Sequence, residues 1–160
     1  MDAVYLTREG LEKQRRDLEV LIKEIRPEAV NQLAVARAHG DLSENAEYDA
    51  AKEKLADIDR RMNELTQKLS RVRIVDQDNI SLDEVRILSK VTLLNVSSGS
   101  RMEYTLVDPL QANPNLKLIS IKSPIGAGLL GKKVGDSVEI DVPSGKITLK
   151  IEVIARSEGL

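Results

Sequence analysis

Between Leu11 and Val72 the chain contains only two residues that break helices, Pro27 and Gly40. Within that stretch Leu55, Ile58, Met62, Leu65, Leu69 and Val72 recur at alternating spacings of three and four, the seam of a coiled coil. Leu11, Leu18, Leu21 and Ile25 keep the same rhythm upstream, with Gln14 filling one seam position. The simplest fold for such a segment is two antiparallel helices joined by a tight turn near 40–43. Pro27 cannot donate its backbone N–H, so a kink is expected there, or a restart with Pro27 at the first helical position. Gly40 suits the end of the first helix, where a positive φ costs glycine least. At about 1.5 Å per residue, a helix from Leu11 to His39 runs roughly 40 Å. Toward the turn the apolar positions shrink to Ala34, Ala36, Ala38, Ala46, Ala50 and Ala51, which predicts close helix approach and a slim end.

After Val75 the period changes. Asp76-Gln77-Asp78-Asn79 is polar and turn-prone, a linker or lead-in. Five short runs follow that are β-branched or alternate: Lys90–Val96, Met102–Val107, Leu116–Lys122, Ser137–Val142 and Ile147–Ile154. Turn signals such as Ser97-Ser98-Gly99-Ser100, Asn113-Pro114-Asn115 and Pro143-Ser144-Gly145 separate them. These runs predict a small, strongly twisted antiparallel sheet, with one short helix in the stretch Ile125–Lys133 closing a face. The expected class is α+β, a helical hairpin over 1–75 followed by a β domain over 76–160.

Composition narrows the function. At 41% hydrophobic and 31% charged, the 160-residue chain can bury a core. No apolar run approaches the roughly 20 residues that span a bilayer, so no membrane partner is expected. The first residues, Met1-Asp2-Ala3-Val4-Tyr5, lack the basic start and apolar stretch of a secretory signal. With no cysteine, disulfides and thiolate metal sites are excluded, and a cytoplasmic location is expected. A net charge of −2 and the lack of Trp and Phe argue against a protein that grips nucleic acid unaided. The charge is unevenly placed, however. Asp41, Glu44, Glu47, Asp49 and Glu53 crowd the end of the hairpin, opposed there by Lys52, with Arg37 slightly further back.

The residues at that end support two readings. Asp41 can cap a helix N-terminus, with Glu44 completing a capping box, and both suit the helix dipole. Alternatively, the two carboxylates serve metal chemistry. Mg²⁺ takes oxygen ligands and is often held by one or two protein carboxylates plus phosphates. Two carboxylates alone make a weak site, so this use requires another site that already holds a metal ion and an RNA phosphate. The lone His39, one residue before the turn, reads as a capping or surface residue, because a metal ligand needs partners.

Gly40-Asp41-Leu42-Ser43-Glu44-Asn45-Ala46-Glu47-Tyr48, followed by Ala50-Ala51-Lys52-Glu53, resembles the hairpin-tip signature of the GreA/GreB transcript-cleavage factors. The resemblance continues in Ser123-Pro124-Ile125 and Leu129-Leu130-Gly131-Lys132-Lys133, and the order of hairpin then sheet domain also matches. It implies a factor that enters the secondary channel of RNA polymerase and stimulates cleavage of backtracked RNA, with the polymerase making the cut. Asp41 and Glu44 match the acidic pair that helps hold a second Mg²⁺ and its water, an ion shared with the polymerase active site and not bound tightly by the free protein. Arg37 and Lys52 match basic positions associated with the RNA 3′ end, and Asn45 and Tyr48 belong to the same tip. The C-terminal domain, FKBP-like in this family, is implied to dock at the channel rim on the β′ subunit, with Ser123, Pro124 and Ile125 in the contacting loop. Gly126-Ala127-Gly128 departs from relatives that often place a basic residue there, which bears on docking strength.

Other functions fit less well. A channel-plugging inhibitor of the same shape would carry a different arrangement of acidic residues from the Asp41, Glu44 and Asn45 found here. The similarly shaped stringent-response factor needs a cysteine zinc site. A prolyl isomerase pocket is normally lined by aromatics, and this C-terminal half has only Tyr104. A pure coiled-coil scaffold leaves the acidic end without a use. A monomer is the simplest expectation for the free protein.

Overall fold

The computed structural model describes residues 2–40 and 45–160, and the chain divides into two compact units. The first comprises Met1–Ala3 with Leu11–Val72, the second Val4–Gly10 with Arg73–Leu160. The expected division at 75/76 thus meets one at Val72/Arg73, and a short N-terminal segment joins the C-terminal unit. No helix among the described residues is long and apolar enough to cross a membrane.

The helical unit is built on α1 (Arg8–Val20), a π-helical turn (Leu21–Ile25), α2 (Arg26–Ala38) and α3 (Ala46–Leu69). Thr7 starts α1, its Oγ1 accepting from the Gly10 N–H at 3.0 Å. Pro27 then falls within the first two positions of α2, as the sequence suggests. What the sequence did not announce is how the chain prepares for it. In the turn before, the Arg26 N–H reaches back five residues to the Leu21 carbonyl. This widened turn adds a residue to the helical repeat ahead of a proline that cannot donate to one. The apolar rhythm therefore slips. Ile25, expected in the seam, is 39% exposed, while Leu21 and Ala29 are buried. Arg26 turns toward α3 instead, where its Nε donates to Asp59 Oδ1 at 2.7 Å.

Cross-helix pairs show that α2 and α3 run antiparallel. Arg26–Asp59 spans 33 residues, Lys54–Gln32 spans 22, and Asn45–Ala36 spans 9, so partners converge toward the turn. Ile58 packs with Leu21 and Ala29, and Leu55, Met62 and Leu65 complete the cluster. Gln14 is buried at its expected seam position. The alanines behave less uniformly than expected. Ala36 is buried and Ala51 half-buried, but Ala34, Ala38, Ala46 and Ala50 face solvent.

In the second unit, β1 (Val4–Leu6) pairs with β2 (Val72–Ile74) in a two-stranded ribbon. The main sheet has five strands: β3 (Ser89–Asn95), β4 (Arg101–Val107), β5 (Leu118–Ser120), β6 (Ser137–Val142) and β7 (Gly145–Arg156). Their order is β5-β4-β3-β7-β6. All neighbours are antiparallel except the edge pair β4–β5, where Thr105 to Val107 run parallel to Leu118 to Ser120. Two 3₁₀ turns, Pro109–Gln111 and Pro114–Leu116, carry the chain back so that β5 starts beside the middle of β4. The expectation of a purely antiparallel sheet is corrected at this one edge.

Alternation in β3 buries Val91 and Leu93, which meet Leu106 of β4 and Leu149, Ile151 and Ile154 of β7. Leu129, at the end of α4 (Pro124–Leu129), fits the same cluster and is fully buried. The short helix expected in this stretch therefore does pack on the core face of the sheet.

Candidate functional site

The first helix of the hairpin ends with the His39 N–H bonded to the Ala36 carbonyl at 3.2 Å and with Gly40 at φ +120°. Few side chains tolerate that backbone, so glycine is the natural terminator. On the return side, Asn45 caps α3: its Oδ1 accepts from the Tyr48 N–H at 3.0 Å. Its Nδ2 donates to the Ala36 carbonyl at 2.8 Å, tying the start of α3 to the end of α2. One side chain thus closes the neck of the turn from both sides.

Asp41 and Glu44 lie outside the described residues. The position of the cap nonetheless corrects one of the two sequence readings. Because α3 begins at Ala46 with Asn45 as its cap, Asp41 is not the N-cap of that helix and Glu44 is not its third residue. The described cap of α3 is the Asn45 side chain.

Below the neck the structure gathers three of the remaining tip residues. Arg37 Cζ lies 5.9 Å, and Lys52 Nζ 5.4 Å, from the centroid of the Tyr48 ring. These are cation–π distances. Lys52 reaches the ring from one turn further along α3, Arg37 from α2. His39, set aside at the sequence level, holds Glu47 through Nδ1 and Oε2 at 2.9 Å, adding a second cross-helix link. The signal for that pair was the near-symmetric placing of 39 and 47 about the turn. Among the described residues no group of three or more His, Cys, Asp or Glu is arranged to hold a metal ion.

The segment Ser123-Pro124-Ile125 belongs to the sheet unit. Ser123 is the N-cap of α4, its Oγ accepting from the Gly126 N–H at 3.1 Å and donating to the Ser120 carbonyl at 2.6 Å. Pro124 takes the first turn, where its missing N–H costs nothing. Ile125 packs against the core, leaving Pro124 and Ala127 as the exposed members of this turn. Gly126 is dictated by space, since a Cβ there would sit 2.1 Å from the Ser120 oxygen. Within the Gly126-Ala127-Gly128 departure, packing accounts for position 126, while Ala127 is exposed. Downstream, Gly131 N–H bonds to the Val85 carbonyl and Val85 N–H to the Lys132 carbonyl, each at 2.8 Å, which fixes the Leu129–Lys133 stretch.

Two family models match the chain: "Transcription elongation factor, N-terminal" over residues 4–74, and "Transcription elongation factor, GreA/GreB, C-term" over residues 68–156. The transcription elongation factor GreA of Chlorobium phaeobacteroides (strain BS1) is 45% identical over 152 residues, covering 94% of this chain and 95% of that protein. GreA of Flavobacterium johnsoniae is also 45% identical, over 150 residues and 94% of each. Among solved structures, the GreA factor homolog 1 protein of Thermus thermophilus is 31% identical, covers 96% of this chain and 99% of its own, and superposes with a TM-score of 0.46.

Proposed function

The chain belongs to the GreA/GreB family of transcription elongation factors, and from that premise we propose that it enters the secondary channel of RNA polymerase and stimulates cleavage of backtracked RNA. The observation that supports this most is the Asn45 cap. Its own side chain starts α3 directly behind the acidic pair of the Gly40–Tyr48 signature, Asp41 and Glu44, which we assign to the metal ion.

The donor set at the tip suits a hard cation only in part. Asn45 has both side-chain polar atoms engaged, and His39 and Glu47 hold one another. The tip therefore offers two carboxylates, which match Mg²⁺ in kind but leave most of its octahedral shell to polymerase and RNA. Asp41 and Glu44 would hold that ion, which when bound supplies charge stabilisation and an activated water in the polymerase active site. The chain itself is not the nuclease. Its hairpin positions two oxygen ligands, and its sheet unit docks at the rim on the β′ subunit through the Ser123-Pro124-Ile125 turn. Given that Ser123 and Ile125 serve the fold, Pro124 and Ala127 supply the exposed contact there, with the exposed Lys122 directly before Ser123.

The test is release of short 3′ fragments from labelled RNA in a stalled, backtracked polymerase complex. Wild type should accelerate release, and Asp41→Ala and Glu44→Ala should each abolish the acceleration while still binding polymerase. A wild type that binds and slows the polymerase's own cleavage would make this chain a channel inhibitor and end the proposal.

A further inference from the structure

One concave surface of the sheet unit plays no part in the function proposed above. It lies on the face of the main sheet opposite α4. Val91 and Leu93 of β3 point into the core beside Leu129, so the alternate residues Lys90 and Thr92 face the other way. Strand register then lays out a floor. Lys90 stands between Thr105 of β4 and Ala155 of β7, with Leu118 of β5 beyond Thr105, and the next row is Glu103, Thr92 and Val153. One wall is the end of the Pro114–Leu116 turn with Lys117, and the other is the chain leaving β7 through Arg156, Ser157 and Glu158. Both walls are held by hydrogen bonds: Leu118 N–H donates to the Asn113 carbonyl at 3.0 Å, and the buried Ser157 Oγ to the Leu88 carbonyl at 2.6 Å. The hollow between them has a volume of about 570 Å³. Small-molecule sites typically measure roughly 300–1,000 Å³.

The chemistry of the lining narrows the ligand. Leu116 is 64% exposed and Val153 50%, so each wall leaves aliphatic surface uncovered inside a concavity. No aromatic ring lines the hollow among the described residues, so nothing there would stack on a nucleobase. Lys90 is committed to Glu103 at 3.2 Å. Among the described residues Lys117 makes no ion pair, and Arg156 makes only a 3.4 Å bond from Nε to the Ile80 carbonyl. Lys117 also has φ +57°, in the left-handed region that suits glycine, so the backbone gives no reason for a lysine there. The lining side chains carry three cations against two carboxylates, a surplus that one negative charge neutralises. We infer that this hollow binds a small aliphatic carboxylate. Its chain lies on Leu116 and Leu118, its carboxylate is held by Lys117, and Arg156 adds positive potential from the facing wall, opposed by Glu158.

The experiment titrates the full chain with octanoate and follows backbone amide shifts by NMR, with octan-1-ol and acetate as separate arms. Octanoate should bind saturably, with its largest shifts at 90–92, 103–105 and 116–118. It should bind about tenfold more tightly than octan-1-ol, which lacks the charge, or acetate, which lacks the chain. Lys117→Gly removes the ammonium and relaxes the backbone, so octanoate affinity should fall about fivefold while the melting temperature stays level or rises. Arg156→Gln should weaken binding about twofold, and Glu158→Gln should tighten it by a similar factor. Equal affinity for octanoate and octan-1-ol would overturn the inference, as would Lys117→Gly that folds and binds as wild type does. Shifts centred away from the hollow, or no saturable shift at all, would overturn it too. Polymerase takes no part in these measurements, so none of the outcomes bears on the function proposed above.

Discussion

The two units of this protein bury their apolar residues on very different scales. The sheet unit has a main cluster of nine buried side chains, drawn from four strands, α4 and Val85. Among the described residues the hairpin's cluster has three: Leu21, Ala29 and Ile58, one of them an alanine. Burial of a large apolar side chain contributes about 1.5–3 kcal/mol, so the hairpin has far less holding it per residue than the sheet. It makes up part of the difference with polar links across the helices: Arg26–Asp59, Lys54–Gln32, His39–Glu47 and Asn45 on both sides of the neck. Such exposed pairs contribute little each, but they fix register where small side chains cannot. A thin two-helix element must forgo a thick core, and its end is then specified by hydrogen bonds. The sheet is specified by packing.

That contrast can be broken from either side. The largest effect is expected in the sheet. Leu106→Ala should cost about 3 kcal/mol, because the site is fully enclosed and cannot collapse. Residue-resolved hydrogen exchange should show β3, β4 and β7 losing protection by that amount, and a loss below about 1 kcal/mol would contradict the packing account.

At the hairpin end the decisive group is polar. Asn45→Ala should cost about 1 kcal/mol, with protection lost first in the opening turn of α3 and at the neck. Asn45→Asp keeps the acceptor for Tyr48 N–H but removes the donor to Ala36, and should fall between. If Asn45→Ala leaves exchange around Tyr48 unchanged, the cap does not organise the tip.

The smallest effect is the most instructive. Ile25 falls on the seam when the heptad is counted through from Leu18, and a seam isoleucine truncated to Ala would cost 2 kcal/mol or more. The structure places it on the outside, so Ile25→Gln should change thermal stability by less than about 0.5 kcal/mol. A large destabilisation would mean that the widened turn before Pro27 is not present in solution.

Ile25 also marks the limit of what was legible. The change of period at Val75, the five strand runs and the short helix after Ser123 could all be read because each is a local pattern. Gly40 could be read because only glycine is at ease at its φ. The π-turn could not, because it arises from Pro27 acting on carbonyls a turn earlier, and a fixed repeat carried past it assigns the wrong face. Strand direction at β5 was hidden because alternation specifies faces and not orientation. At the tip, Asp41, Ser43 and Asn45 are all good caps within five residues, so composition alone could not pick Asn45. The Tyr48–Lys52 contact follows from helical spacing, but Arg37 joins it only through the antiparallel packing of α2 and α3.

The central claim is that the hairpin's end delivers two carboxylates to chemistry performed elsewhere. Its most direct test is the RNA cleavage rate in backtracked polymerase at saturating factor, with the near-isosteric changes Asp41→Asn and Glu44→Gln. The account predicts a loss of roughly 100-fold or more from either change, with half-saturating factor concentration unaltered. Full cleavage by both variants would show that the carboxylate charges are not used, and the claim would fail.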